Sequence, residues 1–234
     1  MDNLLPPSSF QDISWIQNQF ENLGGKFLWK PSQILEQLKR IEFLILDWDG
    51  VFSDGRKDRN KNSTYSELDT MGLNMLRFGH YIQTRKVLPV LIVTGEENPT
   101  AGFIAERDRF QGVYYGVKNK GLVHERIHKD LGLDVSKALF FFDDILDFAL
   151  LRNCLMGIGL KNRSMPLLQS LMERESKCAY ITEHGGSQHG IREACELLLG
   201  LMGLFEKTME NRTLFSPLYL EYLEERNKIN SSLF

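Results

Sequence analysis

Three stretches of the chain are almost entirely apolar over five or six residues, and polar residues follow each of them. The stretches are Ile41–Leu46, Leu88–Val93 and Ala138–Phe142. Such a run predicts a strand that is buried on both faces, as in a parallel sheet. Val123, Ile127 and Leu131 recur every four residues, which predicts an amphipathic helix. Together these elements predict an α/β fold, a Rossmann-like parallel sheet flanked by helices.

The residues that follow the apolar runs carry the candidate chemistry. In chain order they are Asp47 and Asp49, then Thr94 and Gly95, then Lys120 at the head of the predicted helix, and then Asp143, Asp144 and Asp147. The carboxyl ends of parallel strands meet at one edge of a sheet, where such folds bind ligands. Gly50 allows a sharp change of backbone direction after the two acids. A phosphoryl-transfer site at this edge is the function that the pattern predicts.

Each of these residues has a predicted role in that reaction. Asp47 is the candidate nucleophile, which attacks phosphorus and forms an aspartyl-phosphate. Asp49 is the candidate general acid for the leaving group and then the base for the attacking water. Thr94 and Lys120 are expected to hold the phosphoryl oxygens. The gathered acids repel one another unless a cation lies among them, and oxygen ligands beside a phosphate favour Mg²⁺.

Several longer stretches resemble the haloacid dehalogenase superfamily, and within it the 3-deoxy-D-manno-octulosonate 8-phosphate phosphatase group. The resemblance covers about residues 41–200 and is carried by Asp47-Trp-Asp49-Gly-Val-Phe-Ser-Asp54-Gly55, Asp69-Thr-Met-Gly72, Val93-Thr94-Gly95, Gly116-Val-Lys-Asn-Lys120, Asp143-Asp144-Ile-Leu-Asp147 and Gly185-Gly186-Ser-Gln-His-Gly190-Ile-Arg192-Glu193. It implies magnesium bound by Asp47, the backbone carbonyl of Asp49, and Asp143. Asp147 would then act through water or as an outer support.

The chain departs from the pattern of that group at three positions. Glu96 stands where an Arg is usual, Leu146 where an Asn is usual, and Leu68 where an Arg is common. Gly95, Glu96 and Arg192 are the candidate substrate-binding residues. A carboxylate at Glu96 would repel a substrate carboxylate, so we expect 3-deoxy-D-manno-octulosonate 8-phosphate to be a poor substrate. If Glu96 instead points to solvent, it has no such effect.

The chain divides into three predicted segments. Residues 1–40 form a helical N-terminal extension with several aromatic residues, Phe10 among them, and a second helix that begins near Pro31. Residues 41–200 form the phosphatase-like core, and residues 201–234 form a helical C-terminal extension with a helix starting at Ser216-Pro217. We expect both extensions to pack on the core, with subunit contact as the alternative.

The gaps between the candidate motifs are too short to hold a cap domain. Arg56–Thr64 is polar and suits an exposed loop or a hairpin. In the family a hairpin at this place joins four subunits, so the resemblance implies a homo-oligomer, most simply a tetramer. A neighbouring subunit would then cover a site that has no lid of its own.

Composition excludes several classes of function. A net charge of −3 without a basic block argues against nucleic acid as the main partner. No apolar run approaches the length of a membrane span, and Met1-Asp2-Asn3 lacks the start of a signal peptide. The odd number of cysteines (Cys154, Cys178, Cys195), in apolar surroundings, suits reduced thiols. We therefore expect a cytoplasmic protein that does not bind membranes.

Two alternatives remain open at this point. His124-Glu125-Arg-Ile-His128 matches a zinc hydrolase pattern in which both histidines bind the metal and Glu125 activates water. The departures at Glu96 and Leu146 would also suit a non-catalytic relative that serves as a binding or scaffold subunit. Zinc content would test the first alternative, and hydrolysis of an aryl phosphate with magnesium would test the second.

Overall fold

The computed structural model describes residues 12–234, and these residues form alternating strands and helices. The strands are β1 (Lys26–Phe27), β2 (Phe43–Leu46), β3 (Val90–Val93), β4 (Gly112–Tyr114), β5 (Ala138–Phe142), β6 (Met156–Gly159), β7 (Cys178–Ile181) and β8 (Ser232–Leu233). The helices are α1 (Ile13–Leu23), α2 (Pro31–Leu38), α3 (Glu67–Thr84), α4 (Pro99–Arg107), α5 (Val123–Leu131), α6 (Phe148–Leu151), α7 (Pro166–Met172), α8 (Gly190–Leu201), α9 (Phe205–Thr213) and α10 (Pro217–Asn227).

The strands form one sheet in the order β1-β7-β6-β5-β2-β3-β4-β8. Neighbouring strands are parallel except for β1, which runs antiparallel to β7. In the register of the central pair, Leu44 lies opposite Leu139 and Leu46 opposite Phe141. The three predicted strands are therefore confirmed as β2, β3 and β5, and they are adjacent in the sheet. The predicted α/β fold is confirmed as well.

Both faces of the sheet are covered, which explains the continuous apolar runs. Leu44 and Leu46 of β2 pack with residues of α2, α3, α4 and α8 on one face. Phe43 and Ile45 pack with residues of α5, α6 and α7 on the other. Every side chain of the strand is therefore buried. The carboxyl ends of β2, β3 and β5 lie together at one edge of this sandwich.

The terminal segments pack on the core, as expected. α1 and α2 lie against α8, while α9 and α10 lie against α3. The helices predicted at Pro31 and at Ser216-Pro217 are observed as α2 and α10. Short strands were not predicted: β1 and β8 add one strand to each side of the sheet. The prediction for residues 1–11, which include Phe10, lies outside the described residues.

Of the two predictions for residues 56–64, the loop is right and the hairpin is wrong. The segment contains no strand, and it closes a tight turn in which Asp58 N donates to Asn62 O at 2.9 Å. Near its end, Ser63 is buried and accepts hydrogen bonds from Trp48 Nε1 and Asn98 Nδ2. Within residues 12–234, no helix is long and apolar enough to cross a membrane.

Candidate active site

Asp47 lies directly after β2 and is buried by the loops around it. Its backbone N donates to Phe141 O at 3.0 Å, so the parallel pairing with β5 continues to the aspartate. Lys120 Nζ lies 2.6 Å from Asp47 Oδ1 and 2.6 Å from Asp147 Oδ1. Burial alone would lower the pKa of Lys120, but the two carboxylates raise it to about 12. The ammonium is therefore charged and shared by both acids.

Asp143 and Asp147 complete a cluster of carboxylates at the end of β5. One oxygen each of Asp47, Asp143 and Asp147 lies within 4.8 Å of the others. Asp147 Oδ2 accepts from the backbone N of Asp143 and of Asp144, which fixes its orientation. Asp143 Oδ1 is buried and has no hydrogen-bond partner among the described residues. The cluster therefore contains a buried oxygen, Asp143 Oδ1, to which none of the described residues donates a hydrogen bond.

The electrostatics of this cluster are unfavourable without a further positive charge. Burial, followed by repulsion from Asp147, raises the pKa of Asp47 to about 7. Burial and repulsion from Asp47 raise the pKa of Asp143 to about 9. A single ammonium cannot offset three buried carboxylates, and the free Oδ1 of Asp143 is a hard oxygen donor. The residues present therefore fit a divalent cation such as magnesium.

Gly50 is needed at its position because of how closely it approaches this cluster. Its φ is +89°, a left-handed conformation that side chains other than glycine rarely adopt. A Cβ atom added there would lie 1.8 Å from Asp143 Oδ2. The turn after Asp49 can therefore pass over Asp143 only as glycine.

Asp49 lies outside the buried cluster. Its Oδ2 is 2.7 Å from Lys57 Nζ, and its Oδ1 receives a long contact of 3.4 Å from Ser53 Oγ. The Asp49 side chain is 29% exposed, whereas that of Asp47 is 8% exposed. The two predicted acids thus occupy different environments, one among the acidic cluster and one at the mouth of the site.

Thr94, Gly95 and Glu96 lie at the end of β3. Thr94 is fully buried, and its Oγ1 accepts from Glu96 N at 3.4 Å. Glu96 Oε1 is 2.5 Å from Lys118 Nζ, and about half of the Glu96 side chain is exposed (49%). Because this ion pair offsets its charge, the geometry does not support strong repulsion of a substrate carboxylate by Glu96. The alternative, that Glu96 faces solvent, describes its position better.

The glycine-rich segment lies on the turn that follows Asp49. A Cβ at Gly186 would lie 2.3 Å from Gly50 O, and Ser187 Oγ donates to Phe52 O. Glu193 of α8 fixes the start of this segment. Its carboxylate accepts hydrogen bonds from the backbone N of Glu183 and of His184, which directly precede Gly185. Glu193 belongs to the matched tail, but no role was predicted for it from the sequence.

Arg192 contacts a residue of its own helix and the buried Asp69. Its Nε bonds Glu196 Oε1 at 2.6 Å, and its backbone N donates to Asp69 Oδ1 at 2.9 Å. Within residues 12–234, no hydrogen bond or ion pair connects Arg192 to the acidic cluster. Lys57, by contrast, was not predicted as a site residue and contacts Asp49 directly. Its only signal in the sequence was a polar position eight residues after Asp49.

The zinc alternative finds no support in the geometry. His124 and His128 lie one turn apart on α5, and His124 Nδ1 bonds Gly121 O at 2.7 Å. Among the described residues, the carboxylates of Asp47, Asp143 and Asp147 form the only group of three or more potential metal ligands. The two histidines therefore belong to no group of three potential metal ligands among the described residues.

Comparison with known proteins supports the resemblance inferred from the motifs. No family model matches the chain. The 3-deoxy-D-manno-octulosonate 8-phosphate phosphatase KdsC of Escherichia coli (strain K12) is 25% identical over 181 residues, which cover 75% of this chain and 88% of the relative.

Two solved structures share the fold. A putative haloacid dehalogenase superfamily (subfamily III A) hydrolase from Legionella pneumophila has a TM-score of 0.63 at 25% identity, covering 78% of this chain and 95% of that one. The 3-deoxy-D-manno-octulosonate 8-phosphate phosphatase of Moraxella catarrhalis, in complex with magnesium, phosphate and the sugar acid KDO, has a TM-score of 0.61 at 22% identity. The match covers 77% of this chain and 98% of the Moraxella catarrhalis chain. The chain therefore has a haloacid dehalogenase fold that resembles this phosphatase group.

Proposed function

We propose that the protein is a magnesium-dependent phosphoric monoester hydrolase that acts on a small phosphorylated sugar or sugar acid. The observation that carries the proposal is the buried contact of Lys120 with both Asp47 and Asp147 at the end of the central strand. The phosphatase names of the relatives support the reaction, and their sugar-acid phosphate substrate supports the substrate class.

In the first half of the proposed reaction, a carboxylate oxygen of Asp47 forms a bond to phosphorus. The bond from phosphorus to the leaving oxygen breaks, and Asp49 gives its proton to that oxygen. Lys120 and Thr94 hold the phosphoryl oxygens. Lys120 is buried in contact with Asp47, and Thr94 is buried at the end of β3, the strand next to β2. The product is an aspartyl-phosphate and a free alcohol.

In the second half, water attacks the aspartyl-phosphate. Asp49 takes the proton of that water, Asp47 is released as carboxylate, and phosphate leaves. Asp49 suits both proton transfers because its side chain lies at the mouth of the site, partly exposed and outside the acidic cluster. Asp47 suits nucleophilic attack because its position is fixed by the strand and by Lys120.

Asp47, the backbone carbonyl of Asp49, and Asp143 are the proposed magnesium ligands, with Asp147 as an outer support. The free Oδ1 of Asp143 and the mutual repulsion of the carboxylates support this assignment. A bound ion would supply positive charge that offsets this repulsion and stabilises the charge on the phosphoryl group. The magnesium in the Moraxella catarrhalis structure agrees with this choice of metal.

The nucleophile is tested with Asp47→Asn and p-nitrophenyl phosphate. An amide cannot form the acyl-phosphate, so turnover should fall by more than about a hundredfold. Asp130→Asn removes an exposed carboxylate on α5 and is the matched control for charge. A wild-type protein without activity on any phosphomonoester would instead favour the scaffold alternative.

The metal is tested by chelation. Removal of divalent cations should abolish activity, and magnesium should restore it. Magnesium should also raise the melting temperature by mass action, because it binds the folded state. Asp143→Asn should lose both responses. If neither activity nor melting temperature depends on magnesium, the acidic cluster is not a metal site.

Substrate contacts and assembly belong to the same proposal. Gly95, Glu96 and Arg192 remain predicted substrate-binding residues. The loops that follow β2 and β3 contain no cap domain, which supports a homo-oligomer, most simply a tetramer, in which a neighbouring subunit covers the site. Light scattering at micromolar concentration tests this, and a monomer would contradict it. Free, buried cysteines support the proposed cytoplasmic location.

A further inference from the structure

Lys57 contacts the carboxylate that the proposed reaction uses for proton transfer. Its Nζ lies 2.7 Å from Asp49 Oδ2, and both side chains are about three-quarters buried, with 24% and 29% of their surfaces exposed. We infer that Lys57 is a positioning residue that sets which oxygen of Asp49 exchanges the proton. This inference rests on the proposed function and adds a residue that the motifs did not include.

The loop that carries Lys57 is fastened to the core on its far side. Ser63 Oγ accepts from Trp48 Nε1 at 2.7 Å and from Asn98 Nδ2 at 2.9 Å. Ser63 N also donates to Thr100 Oγ1, at the start of α4. Trp48 is the neighbour of both Asp47 and Asp49, so this anchor connects the loop to the reacting strand end. Lys57 is therefore held beside Asp49 by more than its own ion pair.

The turn within the loop limits its movement further. Asp58 Oδ1 accepts from the backbone N of Asn60 and of Asn62, and Asp58 N donates to Asn62 O. These bonds close the segment that directly follows Lys57 in the chain. The ammonium therefore approaches Asp49 from a structured turn, which lowers the entropy cost of forming the contact.

The chemistry of the contact decides the proton position. An ammonium has three donors and no acceptor, so Lys57 can only donate to Asp49 Oδ2. When Asp49 is the acid, its own hydrogen must then be on Oδ1. Among residues 12–234, the only contact of Oδ1 is the one of 3.4 Å with Ser53 Oγ, so Oδ1 can give that hydrogen to the leaving oxygen. In the second half-reaction, the proton of the attacking water returns to the same oxygen.

This role differs from a general effect of positive charge. Lys61 lies in the same loop and is exposed. The charges of Lys57 and Lys61 add to the larger effect of Lys118 in lowering the pKa of Glu96. Among the described residues, Lys61 forms no ion pair with Asp49, whose partner is Lys57. Lys61→Gln is therefore a matched control that removes one positive charge from the loop and leaves the contact with Asp49 intact.

The experiment compares two substrates of nearly the same shape, phenyl phosphate and p-nitrophenyl phosphate. Phenolate is the poorer leaving group and needs a proton from Asp49 far more than p-nitrophenolate does. The value of kcat/KM covers the steps up to leaving-group departure. Lys57→Gln should therefore lower kcat/KM for phenyl phosphate by about tenfold or more, and change it little for p-nitrophenyl phosphate. Lys57→Arg, which can donate to the same oxygen, should recover most of the loss.

The outcomes separate this inference from the proposed function. If Lys57→Gln lowers kcat/KM equally for both substrates, or for neither, Lys57 does not position the acid. The same conclusion follows if Lys61→Gln reproduces the selective loss. A wild-type protein inactive on both substrates would overturn the proposed function first, and the role of Lys57 with it. Asp49→Asn should show the same selective loss as Lys57→Gln, but larger.

Discussion

Asp69 is fully buried, and only one of its carboxylate oxygens has a hydrogen-bond partner among the described residues. Oδ1 accepts from Arg192 N at 2.9 Å, whereas Oδ2 has no partner. Burial raises the pKa of Asp69 to about 6, and the bond from Arg192 opposes this only in part. The ionised form of this residue is therefore a cost to the fold at neutral pH.

We predict that Asp69→Asn stabilises the protein at neutral pH. The pKa of Asp69 in the folded state lies above the usual value of 3.8 for this side chain, so stability falls as the pH rises from about 4 to about 6. Asparagine avoids this loss and can still accept from Arg192. The free energy of unfolding at about pH 7.5 should rise by roughly 1–3 kcal/mol, with a smaller gain near pH 4.5.

Urea unfolding at both pH values checks this prediction. Glu36→Gln is the matched control, because Glu36 is an exposed acid with 61% of its side chain accessible. A variant that is less stable than the wild type at both pH values would show that Oδ2 has a favourable partner in solution. A gain that does not depend on pH would show that the charge is not its cause.

The candidate site could be predicted where residues directly follow buried strands or stand at the head of a periodic helix, as Lys120 does. Asp47, Thr94 and Asp143 occupy such positions, so the apolar runs before them indicated where they lie. Lys57 belongs to a polar loop whose path depends on Ser63, a distant anchor that no periodic pattern reveals. The orientation of an exposed side chain such as Glu96 depends on its partner across the site, which sequence spacing does not give.

At the scale of elements, the loop after Asp49 depends on one buried hydroxyl. We predict that Ser63→Ala removes the acceptor of both Trp48 Nε1 and Asn98 Nδ2. Leaving two buried donors unpaired should lower the free energy of unfolding by about 2–3 kcal/mol. Denaturant unfolding measures this, with Ser170→Ala as the control, since Ser170 is exposed and its Oγ donates to the backbone O of Pro166. An equal effect of both substitutions would contradict the anchor.

Elements differ in how well the sequence predicts them, for a physical reason. β2, β3 and β5 are buried on both faces, so four or five consecutive apolar residues mark them. β6 contains two glycines, Gly157 and Gly159, and β4 has three residues, so neither carries a strong pattern. β1 and β8 have two residues each, and tertiary contacts rather than propensity form them.

At the scale of the whole molecule, both edges of the parallel sheet are covered by terminal segments. β1 pairs with β7 at one edge, and β8 pairs with β4 at the other. The C-terminal cover has side-chain support, because the ring of Phe234 stacks on Tyr114 at 4.4 Å. Ser231 Oγ donates to Ala105 O and Phe110 O as well. The covered edge is β4, the strand that leads to Lys120.

We predict that removal of residues 230–234 destabilises the protein and exposes β4 to association. Phe234 N donates to Val113 O, Tyr115 N donates to Phe234 O, and Ser232 N donates to Gln111 O. Losing these bonds and the ring stack should cost about 3 kcal/mol, or roughly 6–12 °C in melting temperature. An unpaired edge also favours pairing between molecules, so the apparent molecular mass from light scattering should rise with protein concentration. Phe234→Ala keeps the strand and should show a smaller drop without association. A truncated protein that melts at the wild-type temperature and scatters no more light would show that β8 contributes nothing to the sheet.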